Sequence, residues 1–192
     1  MRSTFSVAVA GLLLAACISK PAEVRVPMVH DLGALGPVQA PVMPLRRVEV
    51  VVPNWLNASV MQYRKGESAS ERKAFADNRW IAPPGDLIEN ALVRALGAAQ
   101  PSRCTLSVRL DELIQVFDSD SSSRVRMAGV LFLKGGPASD LMAQRSFDLN
   151  DATPTADPAG GAVTVRTEAD KLAKIARDWL GTMDAKACAA GG

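Results

Sequence analysis

The side chains that carry most enzyme chemistry are scarce in this 192-residue chain, which contains one histidine, His30. His30 lies in the proline-rich stretch from Ile18 to Leu45, where no packed neighbours are predicted to position its imidazole. Serine and cysteine hydrolases need such a positioned imidazole, and a zinc site built on histidine and cysteine lacks ligands in this chain. The sequence therefore predicts a protein that is not an enzyme and that needs no cofactor or metal.

The first cysteine follows a short apolar segment. Phe5 to Ala16 is apolar over about a dozen residues, whereas a helix that crosses a bilayer needs ~20, so the segment suits the core of a signal peptide. Leu14-Ala15-Ala16-Cys17 resembles the lipobox of bacterial lipoproteins, in which the cysteine receives fatty acyl chains such as palmitate and becomes the first residue. We therefore expect a signal peptide over residues 1–16 and lipidation of Cys17. The alternative is an ordinary secretory signal with a chance cysteine.

The residues after Cys17 bear on which membrane holds the anchor. In the sorting rule that accompanies the lipobox, an aspartate after the cysteine favours the inner membrane, and here Ile18 and Ser19 follow. The resemblance therefore implies a lipid anchor in the outer membrane, with the protein facing the periplasm. Several acyl chains together hold a protein durably, whereas one does not.

The remaining cysteines, Cys104 and Cys188, form a candidate pair. In an oxidising compartment we expect a disulfide between them, because an exposed thiol near the C-terminus would be open to oxidation. Two unrelated buried thiols are the alternative.

Composition excludes some partners. The formal net charge is +2 and charges of both signs are spread along the chain, so no basic patch for nucleic acid is predicted. No second apolar run approaches membrane-spanning length.

The chain divides into three parts. After the signal peptide, residues 17–45 are rich in proline and are expected to form a tether, in which the alternation of Val24, Val26 and Met28 allows an edge strand. Residues 46–192 are expected to form one folded domain.

Within this domain the patterns predict five strands and two helices. Val48–Val52 and Val60–Arg64 are β-branched or alternating, and a polar stretch over Lys65–Asp77 separates them from a helix that runs from Pro83 to about Ala99. Three strands with period-two alternation follow, the first with Leu106, Leu110, Ile114 and Val116 on one face and Glu112 interrupting it.

A loop over Asn150–Gly161 is then predicted, because prolines and a glycine pair break regular structure there, and a helix over about Ala162–Lys186 follows. In this helix Glu168 and Asp170 precede the basic residues, which suits the helix dipole. The order ββα-βββα predicts an α+β fold with a mostly antiparallel sheet and both helices packed on one face.

Three segments together resemble a known family. They are Val48-Glu49-Val50-Val51-Val52-Pro53-Asn54-Trp55-Leu56, Val60-Met61-Gln62-Tyr63-Arg64 and Asn78-Arg79-Trp80-Ile81-Ala82-Pro83-Pro84. Behind a lipobox, this order is similar to the ABC-type transport auxiliary lipoprotein family, which includes the PqiC-like lipoproteins of Mce-type intermembrane lipid transport systems. The similarity extends over most of residues 24–185.

The resemblance implies a lipoprotein that docks with a periplasmic Mce-domain protein, which assembles with an ABC permease and an ATPase. It also leaves open a homo-oligomer matched to the symmetry of the conduit. Among the residues that carry the resemblance, the candidates for partner binding are Trp55, Tyr63, Arg79 and Trp80. For Tyr63 and Trp80 a place in the core is the alternative, and for Arg79 the alternative is stacking on an aromatic ring or pairing with Asp86. Trp55 is the aromatic residue most readily placed at an interface.

Two other functions remain open at this stage. One is a lipoprotein that assembles or plugs an outer-membrane β-barrel. The other is a stand-alone lipid carrier, which requires a large apolar pocket that a core of small residues would fill.

Overall fold

A seven-stranded sheet carries two α-helices in the computed structural model, which describes residues 26–33, 40–136, 138 and 140–189. The predicted signal peptide and Cys17 lie outside the described residues. Two 3-10 helices, Asn54–Leu56 and Ala185–Cys188, complete the regular structure. In chain order the main elements are β1 (Met28–His30), β2 (Arg47–Val51), β3 (Val60–Lys65), β4 (Lys73–Trp80), α1 (Pro84–Leu96), β5 (Thr105–Ser119), β6 (Ser122–Gly135), β7 (Asp140–Ala152) and α2 (Pro158–Leu180).

The α+β class is confirmed, but the sheet is mixed rather than mostly antiparallel. The strand order is β1-β4-β3-β5-β6-β7, and β5, β6 and β7 form the predicted antiparallel meander. β2 and β3 both pair in parallel with β5, β2 along Thr105–Arg109 and β3 along Gln115–Phe117. β5 is long enough for two short strands to lie one after the other on one of its edges, and both run in its direction.

The polar stretch between β3 and α1 contains a strand that the sequence pattern missed. β4 begins at Lys73, pairs antiparallel with β3 and continues to Trp80. Most of its side chains are at least partly exposed, and Trp80 alone is buried. A strand near the end of a sheet buries few side chains, so its sequence carries little apolar periodicity.

A β-bulge in β5 reverses the side-chain alternation that the sequence predicted. Leu110 pairs with Gly129 and Glu112 pairs with Ala128, which leaves Asp111 as the extra residue. One inserted residue turns every later side chain to the opposite face. Leu113 therefore continues the face of Leu110, while Glu112, Ile114 and Val116 lie on the other face, which corrects the prediction for Ile114 and Val116.

The folded part begins before residue 46. β1, the edge strand foreseen in the tether, pairs in parallel with β4. Leu32, Met43 and Leu45 are buried in the core. The predicted boundary at residue 46 therefore lies inside the folded region.

The second helix also begins earlier than predicted. The Asp157 side chain accepts a hydrogen bond from the Gly160 backbone N–H and Pro158 occupies the first turn, so α2 starts within the predicted loop. A Cβ atom on Gly161 would collide with the Gln115 side chain on β5. The glycine there permits close packing of helix on sheet.

The 3-10 helix Ala185–Cys188 is covalently linked to the residue that precedes β5. Cys104 and Cys188 form a disulfide, as predicted, with their Cα atoms 5.1 Å apart. The Ser102 hydroxyl donates to the Cys188 carbonyl oxygen at 2.8 Å beside it.

Candidate functional site

The two faces of the sheet differ in what covers them. α1 and α2 pack on the face that carries Leu106, Leu110, Met127 and Leu131, which are fully buried. The opposite face, here called the helix-free face, carries Arg64 on β3, Glu112 on β5 and Arg126 on β6. Many of its side chains are charged and form ion pairs with one another, while Ile114 and Val116 on the same face are buried.

The four predicted partner-binding residues divide between these faces. Trp55 contacts side chains of the helix-free face, and Arg79 lies on that face beside Val60. Tyr63 and Trp80 point to the other side of the sheet. Trp80 is only 5% exposed and packs edge-on against His30, with ring centroids 6.5 Å apart. The structure therefore brings Trp55 and Arg79 to one face and places Trp80 in the core.

Trp55 lies on the helix-free face and is held there by its neighbours. It lies in the 3-10 helix that follows Pro53, where the neighbouring Leu56 is buried and fixes the turn. The indole remains 44% exposed, and the Arg72 guanidinium stacks over it at 4.0 Å from the ring centroid. Gln62 donates from its amide nitrogen to the Trp55 carbonyl oxygen at 2.8 Å. A cation–π contact of this kind contributes about 0.5–1 kcal/mol at an exposed site and holds the ring in one orientation.

Glu112 holds the arginine that stacks on Trp55. Arg72 Nη2 lies 2.6 and 2.7 Å from the two carboxylate oxygens of Glu112, and Arg64 Nη2 lies 2.6 Å from one of them. Arg72 also donates to the Gln62 side-chain oxygen at 3.3 Å. We call the group of Trp55, Gln62, Arg64, Arg72 and Glu112 the Trp55 platform. Because two arginines share one carboxylate, this group carries a net positive charge.

Sequence reasoning missed Gln62, Arg64, Arg72 and Glu112 as parts of this site. Glu112 interrupts the predicted apolar face of β5, and this interruption is the signal that could have revealed it. A β-bulge at this point turns a charged residue out of the apolar face. Arg72 carried no comparable signal, since it precedes a strand that the pattern did not reveal.

Arg79 occupies a different place on the helix-free face. In the strand register it lies between Val29 on β1 and Val60 on β3, and all three are exposed. No ion pair or hydrogen bond joins its side chain to any of the residues that the structure describes.

The other charges of this face are paired. Arg124 contacts Glu67 and Asp118, and Arg126 contacts Asp148 at 2.9 Å and Glu67 at 3.2 Å. The hydrogen bond from Arg124 lowers the pKa of Glu67, and the hydrogen bond from Arg126 lowers the pKa of Asp148. These carboxylates therefore remain ionised at neutral pH and are not poised for proton transfer.

Tyr63 belongs to an aromatic cluster at the end of the sheet. Its ring centroid lies 4.5 Å from that of Phe75 and 5.6 Å from that of Phe117. The three rings line an open surface cleft of about 200 Å³ together with Lys65 and Asp120. The tyrosine is half-buried, so the structure gives it both packing contacts and an accessible edge.

Between sheet and helices the enclosed space is small. A cavity of about 20 Å³ lies among Leu56, Met61, Trp80 and Val165, enough for about one water molecule. In the described part of the chain, no group of three or more histidine, cysteine, aspartate or glutamate side chains could hold a metal ion. Neither helix in that part is both long and apolar enough to cross a membrane.

Several solved structures resemble this chain in fold but are only 13–16% identical to it in sequence. No family model matches this chain, and no curated protein matches it. The crystal structure of a Xanthomonas campestris protein of family DUF330 has a TM-score of 0.66 and 13% identity, over 81% of this chain and 94% of that one. The crystal structure of an "uncharacterized protein" has a TM-score of 0.65 and 16% identity, over 81% of this chain and 99% of that one.

A third structure, of "a putative lipoprotein" from Caulobacter crescentus CB15, has a TM-score of 0.45 and 14% identity, over 70% of this chain and 88% of that one. At this level of likeness it supports no argument. The first two structures share the fold of this chain, and one of them is a protein of family DUF330.

Proposed function

We propose that this protein is a lipid-anchored, non-enzymatic auxiliary subunit of an ABC-type intermembrane lipid transport system, held at the outer membrane and docked to a periplasmic Mce-domain protein. The observation that carries the proposal is the Trp55 platform. A large aromatic ring, half-exposed and held by stacked Arg72, lies on the sheet face opposite α1 and α2. Exposed tryptophan and arginine are the residue types that most often anchor protein interfaces.

The lipobox-like segment at Cys17 and the order of motifs around Trp55 support the same proposal. They place the platform in a segment that is similar to the auxiliary lipoprotein family, behind a predicted acyl anchor. The fold shared with a DUF330 protein is compatible with this assignment. In this role the protein would fix one end of a periplasmic conduit, and the chemistry of the site would be binding alone.

The interior of the fold argues against a stand-alone lipid carrier. An acyl chain needs a cavity of several hundred Å³, in the range of ordinary ligand pockets. Among the residues that the structure describes, the cavity between sheet and helices holds only about 20 Å³, far below this range. The auxiliary role needs no interior pocket.

The experiment is capture of the full-length lipoprotein from its own cells after crosslinking and gentle solubilisation, with partners identified by mass spectrometry. We expect an Mce-domain protein together with a permease and an ATPase. Recovery of β-barrel assembly components, or of bound lipid alone, would contradict the proposal and favour one of the two alternatives.

Paired variants test whether the platform is the docking site. Trp55→Ala removes the exposed ring and is expected to abolish recovery of the Mce-domain protein. Val163→Ala is the matched control, because Val163 is 55% exposed on α2, on the other side of the sheet. Equal loss of partner in both variants, or in neither, would show that docking does not use Trp55. Melting curves of both variants establish that the fold persists.

A further inference from the structure

Exposed apolar side chains gather at the end of the sheet where the described chain begins. Val26, Met28 and Val29 belong to the edge strand β1 or precede it, and Ile81 is joined to it by a backbone hydrogen bond from its N–H to the His30 carbonyl oxygen at 2.8 Å. These four side chains are between 46% and 86% exposed. We call this group the β1 corner. Val29 lies on the same face as Arg79 and Met28 on the opposite face, so exposed apolar side chains lie on both sides of this sheet edge, and such exposure marks an interaction surface.

The β1 corner lies close in sequence to the predicted lipid anchor. Val26 comes nine positions after Cys17, with eight residues between them. A fully extended chain spans at most ~3.3–3.6 Å per residue, so Val26 lies within about 30 Å of the acylated cysteine. The membrane is therefore within reach of the β1 corner whenever the anchor is inserted.

A cation without a partner among the described residues lies beside Val29. Arg79 is adjacent to Val29 in the strand register and has no ion-pair partner among the described residues. In contrast, the other arginines of the helix-free face each contact a carboxylate: Arg47, Arg64, Arg72, Arg109, Arg124 and Arg126. A guanidinium next to apolar side chains matches a membrane surface, where phosphates lie above acyl chains.

We propose that the β1 corner rests on the lipid surface to which Cys17 anchors the chain, with Arg79 contacting headgroup phosphates. The occupant is the membrane itself, because the length of the tether, the exposed apolar side chains and the unpaired cation all fit it. This contact would orient the sheet relative to the membrane and keep the Trp55 platform in a fixed position above it. The inference rests on the lipid anchor of the proposed function, and not on the identity of the docked partner.

The test uses photo-crosslinking in the acylated full-length protein. Met28 or Ile81 is replaced by p-benzoyl-phenylalanine, and Val163 on α2 is replaced in the same way as the matched control. Each protein is reconstituted into phosphatidylethanolamine–phosphatidylglycerol vesicles and irradiated, and its adducts are identified by mass spectrometry. We expect lipid adducts at positions 28 and 81 and none at position 163.

Lipid adducts at all three positions, or at none while the acylated protein floats with the vesicles, would overturn the inference. Adducts at positions 28 and 81 that join two protein chains would overturn it in favour of an interface between copies. The mass of the N-terminal peptide is read in the same experiment: a Cys17 without acyl chains would overturn the anchor as well as the contact. Failure of the contact is thereby separated from failure of the anchor.

A second pair of variants addresses the cation. Arg79→Gln is expected to lower the yield of lipid adducts at position 81 in vesicles with phosphatidylglycerol. Arg145→Gln is the control, because Arg145 is exposed on β7, far along the strand order from β1. An unchanged yield in Arg79→Gln would overturn the role assigned to Arg79.

Discussion

The stability of this protein should fall as the pH rises from about 5 to 8, because of one carboxyl group in the core. Glu168 on α2 is fully buried. One of its oxygens accepts a hydrogen bond from the Asp151 backbone N–H at 3.2 Å, and the other has no hydrogen-bond partner among the described residues. Burial raises the pKa of Glu168 to about 8, since the charged form has lost its water. Asp151 and Asp148 add negative charge nearby, which Lys171 partly offsets.

The sign and size of the effect follow from linkage. In the unfolded chain Glu168 has its ordinary pKa of 4.5, so the folded state binds the proton more tightly. The stabilisation from this proton is complete below about pH 4.5 and is lost progressively as the pH rises to about 8. Each pH unit in this window changes the free energy of unfolding by up to about 1.4 kcal/mol, which gives an upper bound of about 5 kcal/mol in total.

Glu168→Gln isolates this contribution, because an amide keeps the shape of the side chain and does not titrate. Urea unfolding of both proteins is followed by tryptophan fluorescence, which reports on the buried Trp80 and Trp179, at several values between pH 5 and 8.5. The free energy of unfolding of the wild type is expected to fall across this range and that of the variant to stay nearly level. Asp178→Asn, an exposed carboxylate on the same helix, is the control and should keep the wild-type slope.

The groups with lowered pKa values do not interfere with this measurement. Glu67, Asp148 and Asp157 all titrate below their ordinary values in the folded state. Their stabilisation is present above the ordinary pKa and is lost only as the pH falls through the folded value, outside the window. Parallel slopes for the wild type and Glu168→Gln would therefore refute the reasoning and show that Glu168 is ionised in the folded protein.

Three further predictions concern the framework around the site. Glu112→Gln should cost about 1–3 kcal/mol in unfolding free energy and change the emission of Trp55, because the carboxylate that holds the stacked arginine is lost. Gly129→Ala should cost about 1–3 kcal/mol by urea unfolding, since its Cβ would collide with a backbone carbonyl oxygen of β5 at the bulge. Replacing both Cys104 and Cys188 by serine should lower the free energy of unfolding by up to about 4 kcal/mol, because the unfolded chain regains the conformational entropy that the disulfide removes.

The first two of these predictions have a matched control variant. Glu71→Gln removes an exposed carboxylate paired with Lys73 and should change neither stability nor emission. Gly181→Ala adds a Cβ in ordinary contact and should be tolerated. A loss in Glu71→Gln equal to that in Glu112→Gln, or a Gly129→Ala protein as stable as Gly181→Ala, would contradict the packing described. For the cysteines, an unchanged urea midpoint in the double variant would contradict the stabilisation that we assign to the disulfide.

Local patterns in the sequence predicted most of the elements. The β-branched run that ends at Pro53, the apolar stripe of α2 and the alternation in β6 each depend on one segment and its own periodicity. The pairing of Cys104 with Cys188 also followed from the sequence, because few cysteines were available. Trp55 was predicted at an interface from local sequence as well, since it lies two residues after Pro53, which ends a strand.

The tertiary structure alone decided the features that depend on distant segments. The bulge at Asp111 is a feature of the pairing of β5 with β6, and it turns Glu112 outward to Arg64 and Arg72. Glu168, read from the sequence as a residue that complements the helix dipole, is buried because the packing of α2 on β7 turns it inward. Arg79 and Trp80, adjacent on β4, lie on opposite faces of the sheet, and strand register decides which of them faces the core. Register and burial are set by contacts between segments far apart in the chain, which no local pattern records.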